Sequence, residues 1–157
     1  MMNNEQEFFK LLKYSNELRK NNKSLFKENS EKSRKLSRFL IIIEENLHLR
    51  QKDKYIELME TFLKNKINAE DFSFYFIVKY DNINQTLREM KQDFEKIFDE
   101  LSNLLIENKN KKDQIGTFLM SMYDYCDDFD PNSNSSITDE VNLRNYAKIL
   151  LSELKQA

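Results

Sequence analysis

The chain has 157 residues, of which 39% are hydrophobic and 33% charged, and its formal net charge is −2. One Gly, one Pro and one Cys argue against a sheet with tight turns, and they exclude a glycine-rich phosphate loop and an internal disulfide framework. The steady supply of Leu, Lys, Glu, Gln and Met predicts a soluble, all-α protein.

The longest uninterrupted apolar run, residues 39–43, is too short to cross a bilayer, and no signal-peptide pattern opens the chain. We therefore expect no membrane insertion and a reducing compartment, either the cytoplasm or an organelle stroma. The abundance of Lys, Asn, Ile, Phe and Tyr with few Ala and Gly residues is typical of AT-rich coding sequence.

Two helices joined by a polar bend are predicted in the N-terminal third. Apolar residues recur within 8–18 and within 36–49, and the polar stretch 20–33 lies between them. Residues 1–54 hold 13 Lys and Arg against 8 acids, whereas residues 55–157 hold 12 against 19. This shift predicts a basic helical N-terminal extension, 1–51, followed by a bundle domain, 52–157.

Basic residues at the start of the second helix alternate with acids. Lys32, Arg34, Lys35 and Arg38 follow Glu28 and Glu31, so we interpret them as a solvated helix face. No direct nucleic-acid binding is predicted.

Five helices are predicted in residues 52–157. They are Lys52–Lys64, a helix capped by Asn68 that ends near Tyr80, Asn84–Asn108, a helix from Ile115 to about Asp128, and a last helix capped by Thr138 that reaches Leu154. The aromatic run Phe72–Phe76 is predicted to be core. The fold class is therefore an antiparallel four-helix bundle, or at most a five-helix bundle, with an N-terminal helical extension.

Signatures of catalysis are sparse. His48 has no nearby carboxylate pair or nucleophile motif, so we expect a surface or packing role. Cys126 precedes two acids that would hold the thiol protonated, and we expect core or semi-buried filler. The sequence predicts neither an enzyme nor a cofactor.

An acidic segment is the most informative feature of the chain. Residues 113–143 contain no Lys, Arg or His, and the acids from Asp113 to Glu140 number seven. Its densest part is Asp124, Asp127, Asp128 and Asp130, which ends at Pro131. Because clustered carboxylates repel one another, a counter-charge is expected from outside the chain, in a basic protein, a metal or solvent.

The acidic segment partly resembles two kinds of metal site. Asp124, Asp127 and Asp128 are one helical turn apart and could share Mg²⁺, but no second aspartate motif or basic diphosphate site accompanies them. The loop from Asp128 to Asp139 resembles a calcium loop, yet Ser133 replaces its turn glycine and Asp139 replaces the bidentate glutamate. No metal is predicted.

Two segments resemble the colicin D immunity proteins and their self-protective colicin-like immunity family. Leu58–Phe72 is similar to the first helix, the turn and the start of the second helix of that family. Asp127–Pro131, with the polar loop and the amphipathic helix Asp139–Leu154, is similar to its Glu-x-Phe-Glu-Pro-Asp stretch and closing helix. The two segments occur in the family's order, and residues 1–51 have no counterpart in it.

The resemblance implies a four-helix bundle that occludes the active site of a tRNA-cleaving toxin, with acids that stand in for RNA phosphates. Asp127 and Asp130 match family acids, and Asn132 takes a place that is acidic in the family. Tyr123 and Tyr125, together with Phe129, lie between the acids and are candidate apolar anchors. The alternative is a helical interaction or assembly subunit of a larger complex, possibly organellar, with no toxin partner.

Overall fold

A computed structural model describes residues 2–107 and 115–157 of the chain. Within these ranges every regular element is a helix, which confirms the all-α fold class. The eight helices are α1 Asn4–Lys20, α2 Leu25–Glu28, α3 Ser30–Arg50, α4 Lys52–Leu63, α5 Ala69–Gln92, α6 Phe98–Ile106, α7 Ile115–Asp128 and α8 Ser136–Gln156.

Asparagine ends helices in this glycine-poor chain. Asn22 and Asn65 adopt left-handed φ values of 57° and 59° just after α1 and α4, a conformation that Asn tolerates better than most residues. After α4, the Asn65 and Lys66 N–H groups donate to the carbonyls of Phe62 and Thr61, both at 3.0 Å. These two hydrogen bonds close the end of α4. The left-handed Asn residues explain how two sharp turns form without Gly.

The described residues divide into two compact units, and neither is continuous in sequence. The first contains residues 2–47 and 85–107, and the second contains residues 48–84 and 115–157. These units differ from the predicted division at residue 51, because residues 85–107 pack with the N-terminal helices.

Five phenylalanines pack together in the first unit, and three of them, Phe8, Phe39 and Phe94, are buried. The Phe9 ring lies 5.5 Å from Phe94 and 4.9 Å from Phe98, and Phe8 lies 5.8 Å from Phe39. The buried amide of Asn46 donates to the Leu104 carbonyl at 2.6 Å. The described residues of the first unit hold 13 Lys and Arg and 13 acids. The positive charge of the predicted basic extension is therefore offset by acids within the same unit.

The predicted continuous helix Asn84–Asn108 is wrong in its boundaries. Helix α5 extends unbroken from Ala69 to Gln92, a turn follows, and α6 begins at Phe98. The break lets Phe94 and Phe98 both contact Phe9, so packing overrides a sequence with no helix breaker. The predicted end at Asn108 lies outside the described residues.

The second unit is a helical bundle of α4, residues 69–84 of α5, α7 and α8. Helix α8 packs against both α4 and α7, and the short α7–α8 connection favours an antiparallel pair. The Phe62 and Phe72 rings stack with centroids 4.2 Å apart, and Lys155 on α8 forms an ion pair with Glu60 on α4 at 2.8 Å. This unit contains the predicted helices at 52–64 and 115–128 nearly as expected.

Two local predictions in this unit have opposite outcomes. The Asn68 side chain accepts a hydrogen bond from the Asp71 N–H at 2.7 Å, which confirms Asn68 as the cap of α5. The predicted cap at Thr138 is wrong, because α8 begins at Ser136 and its N-cap position is Ser135, three residues earlier. Several hydroxyl residues here can all begin a helix, and the Ser135 hydroxyl donates to the Asp139 carboxylate at 2.9 Å.

The aromatic run 72–76 is only half core. Phe72 and Phe76 are fully buried, whereas Phe74 and Tyr75 are 62% and 49% exposed. Consecutive residues of a helix point in different directions, so one run supplies both the core and an outer face.

Candidate protein-binding surface

Helix α7 separates apolar and acidic residues onto different faces. Its buried residues are Ile115, Leu119, Met122 and Cys126, spaced at three and four. This spacing fixes the helix on the core of the second unit. Asp124, Asp127 and Asp128 are exposed as a consequence, and each is within one turn of another.

The loop after α7 carries the other two predicted polar residues. Asp130 and Asn132 are both exposed, on either side of Pro131. The Asp130 carboxylate accepts a hydrogen bond from the Asn132 N–H at 2.9 Å. This Asx-type turn orders the start of the loop and keeps Asp130 close to the end of α7.

Tyr123 connects the acidic end of α7 to α5. Its hydroxyl donates to the Asp81 carboxylate at 3.4 Å, and its ring lies 4.9 Å from the Tyr80 ring. Partial burial of the phenol, together with the negative charges of Asp81, Asp127 and Asp124, raises the pKa of Tyr123. Asp81 therefore joins the acidic group, although it is 42 residues distant in sequence and no local pattern indicated it.

Tyr125 lies on the side of α7 that faces α8. Its ring is 44% exposed and lies 4.9 Å from the ring of Tyr146. The Tyr146 hydroxyl donates to the Phe118 carbonyl at 3.2 Å, which holds that ring against α7. Phe129 packs partly against the core of the unit. Of the three proposed anchors, Tyr125 is the one most available to a partner.

Five exposed carboxylates therefore form one surface, which we call the acidic patch: Asp81, Asp124, Asp127, Asp128 and Asp130. Among the described residues no Lys or Arg forms an ion pair with any of them. Helix α7 also has no basic residue in its last turn, where the partial negative charge of the helix end adds to the repulsion. Within the described residues, the carboxylates of the patch therefore repel one another without a compensating ion pair.

The remaining acids of the segment are used differently. Glu140 forms an ion pair with Arg144 at 3.1 Å, and Asp139 accepts the Ser135 hydroxyl bond. These two carboxylates help to begin α8. Asp113 lies outside the described residues.

No three His, Cys, Asp or Glu side chains of residues 2–107 and 115–157 are placed to share a metal ion. The aspartates of the patch are adjacent on the surface, but they do not converge.

His48 is a buried structural residue with partners on both ring nitrogens. Nδ1 lies 2.8 Å from the Tyr55 hydroxyl, Nε2 lies 3.0 Å from Oδ1 of Asn84, and the imidazole stacks on Tyr80 at 4.5 Å. Burial lowers the pKa of His48 to about 4. The predicted surface or packing role is thus a buried packing role, and the hydrogen-bond partners come from α4 and α5.

Cys126 is buried in the core of the second unit, with 2% of its surface exposed. Burial raises the pKa of the thiol to about 12. The predicted unreactive filler role fits this position, although burial rather than the neighbouring aspartates is the main cause.

Comparisons with known proteins assign no family. The sequence matches no protein-family model, and no curated protein or solved structure is detectably similar to the chain. In the described part of the chain, no helix combines the length and apolar character needed to cross a membrane. The function must therefore be argued from the surface itself.

Proposed function

We propose that the chain is an immunity-type binding protein, and that its acidic patch occupies the basic active-site groove of a tRNA-cleaving nuclease toxin. The resemblance of two segments to the colicin D immunity family directs the choice of toxin. The observation that carries the proposal is the set of carboxylates at the end of α7, which no cation of the described residues neutralises.

A nuclease groove is lined by Lys and Arg that bind RNA phosphates, so its potential is complementary to that of the patch. Complex formation would replace the repulsion among Asp124, Asp127 and Asp128 with favourable pairs. The complex would then relieve a repulsion that no ion pair of the described residues offsets. This difference in electrostatic energy between the free and the bound protein makes the surface selective for a basic partner.

Affinity requires an apolar centre as well as charge. Tyr125 supplies an exposed ring beside Asp124 and Asp128, and its contact with Tyr146 limits its motion. A ring that is already held loses little side-chain entropy when it binds. We therefore assign Tyr125 as the principal apolar anchor and the aspartates of the acidic patch as the charged rim around it.

The test is co-expression with a tRNA-cleaving toxin domain of the colicin D type, followed by affinity measurement and a tRNA-cleavage assay. The protein should protect tRNA. Asp127→Asn, Asp130→Asn and Tyr125→Ala should each weaken binding, and Asn132→Asp should strengthen it if the matching position contacts a cation. Loss of one partner of a desolvated charge pair costs about 2–5 kcal/mol, whereas a rim charge mainly slows association.

Asp53→Asn is the matched control, because Asp53 is an exposed aspartate at the start of α4. It makes the same charge change outside the patch and should leave binding unchanged. A basic toxin domain that binds the parent and all four variants equally would place the interface elsewhere. Absence of binding to any such nuclease would instead favour the assembly-subunit function.

A further inference from the structure

A second surface on α5 is apolar at its centre and charged at its ends. Phe74, Tyr75 and Val78 are 62%, 49% and 39% exposed, and the Phe74 and Tyr75 rings lie 5.8 Å apart. Three large apolar side chains within two turns of one helix exceed the scattered exposure of an ordinary surface, so they mark an interaction site.

This surface borders the acidic patch at Asp81. Helix α5 buries Phe72, Phe76 and Tyr80 and contacts α7 through Tyr80 and Asp81. Phe74 and Val78 are seven and three residues before Asp81, so they lie on nearly the same side of the helix, whereas Tyr75 is turned away from Asp81 by about 100° or more.

A groove between α4 and α5 extends the surface. Its apolar lining comes from Leu58 and Ile67 together with Tyr75, and Lys54, Glu57 and Lys79 lie at its rim. Tyr75 thus belongs both to the exposed aromatic pair and to the groove. The two features form one continuous area that is broader than a single helix.

Acidic residues lie at one end of this surface and a lysine lies at the other. Glu70 and Asp71 are exposed in the first turn of α5, and Lys79 lies two turns further along. Burial and the nearby charge of Lys54 lower the pKa of Lys79, and the carboxylate of Glu57 opposes that shift. We call the set Glu70, Asp71, Phe74, Tyr75, Val78 and Lys79 the α5 face.

Tyr75 is four residues from Asp71 and four from Lys79, and residues at that spacing share one side of a helix. A two-fold axis near Tyr75 therefore places Asp71 of one copy opposite Lys79 of the other, twice. Such self-complementarity is what a two-fold interface requires, because each copy presents the same residues.

From this arrangement we propose that the α5 face is a homodimer interface, in which α5 of one copy packs antiparallel to α5 of a second copy around Tyr75. The aromatic pair and Val78 form the centre, the groove residues Leu58 and Ile67 complete the apolar area, and two Asp71–Lys79 pairs fix the direction.

The oligomeric state of the full chain tests the proposal, measured by sedimentation velocity over a wide range of concentrations. The parent should reach the mass of a dimer. Val78→Asp should give a monomer with unchanged helix content in circular dichroism, whereas Val141→Asp, on the exposed face of α8, should still dimerise. A parent that remains monomeric at all concentrations overturns the proposal.

Charge reversal tests the direction of packing. Asp71→Lys and Lys79→Glu should each weaken the dimer roughly tenfold or more, because each creates two repulsive contacts. The double variant should recover the affinity of the parent. A mixture of the two single variants should also form heterodimers, since both contacts are then attractive.

A dimer that ignores these reversals uses another surface and rejects the proposal. These measurements contain no toxin, so their failure is separate from failure of the immunity function.

Discussion

The guanidinium of Arg144 lies over the ring of Phe62, 4.2 Å from its centroid, and donates a hydrogen bond to the Phe62 carbonyl oxygen at 2.9 Å. That carbonyl is in the last turn of α4, where helix carbonyls lack partners within the helix. It also accepts the Asn65 N–H, and Glu140 holds the guanidinium in place. Arg144 therefore joins the first half of α8 to the end of α4.

We predict that Arg144→Met lowers the free energy of unfolding by about 1–2 kcal/mol, since it removes one hydrogen bond and a partly buried cation–π contact while it keeps the aliphatic bulk. Urea unfolding measures the change. Lys148→Met, one turn later on the exposed side of α8, is the control and should have little effect. Equal losses in the two variants would contradict the role of Arg144.

His48 predicts a decrease in stability on acidification. Burial lowers its pKa from 6.5 to about 4, so between these pH values the unfolded chain binds a proton that the folded chain does not. Stability then falls as pH decreases through this window, by up to about 3 kcal/mol, and His48 contributes no further loss below it.

Unfolding of the parent and of His48→Gln at several pH values isolates this contribution. The variant is expected to be less stable near neutrality, but its stability should depend less on pH between 6.5 and 4. The carboxylates titrate in both proteins and cancel in the difference. Parallel pH curves would show that His48 is protonated in the folded state as readily as in the unfolded chain.

The end of α7 should be stabilised by the loss of a negative charge. We predict that Asp128→Asn raises the free energy of unfolding by about 0.3–1 kcal/mol, because a carboxylate near a helix C-terminus opposes the helix dipole. Asp53→Asn, in the first turn of α4, should have the opposite sign for the same reason. The same sign in both variants would refute the electrostatic explanation.

Salt should affect the association rate of the proposed toxin complex more than its dissociation rate. Exposed charges lose their long-range attraction beyond a Debye length of about 8 Å at physiological ionic strength, so stopped-flow association should slow steeply as salt rises. Asp127→Asn should reduce that slope, whereas Tyr125→Ala should mainly accelerate dissociation. An association rate that does not change with salt would exclude steering by the acidic patch.

Local signals predicted the elements whose determinants are local. The Asn68 cap and the spacing of Ile115, Leu119, Met122 and Cys126 specify the start of α5 and the buried face of α7 without reference to other helices. The exposed aspartates of α7 follow from that spacing, so most of the candidate surface could be found in the sequence.

Features that depend on distant contacts could not be predicted in this way. The break before Phe98 depends on Phe9, which is far away in the chain. Asp81 enters the acidic patch only through Tyr123, and Asn84 meets His48 across 36 residues. In each case the feature depends on which helices become neighbours in the fold. The periodicity of a single sequence does not contain that information.

The burial of Cys126 makes thiol labelling a measure of local opening in the second unit. Because this is the only thiol in the chain, an alkylating reagent can react only when the core around α7 opens. The labelling rate divided by the rate for an unstructured cysteine peptide gives the population of that open form directly. Opening confined to the first unit would produce no labelling. The reagent therefore distinguishes local unfolding of the second unit from local unfolding of the first.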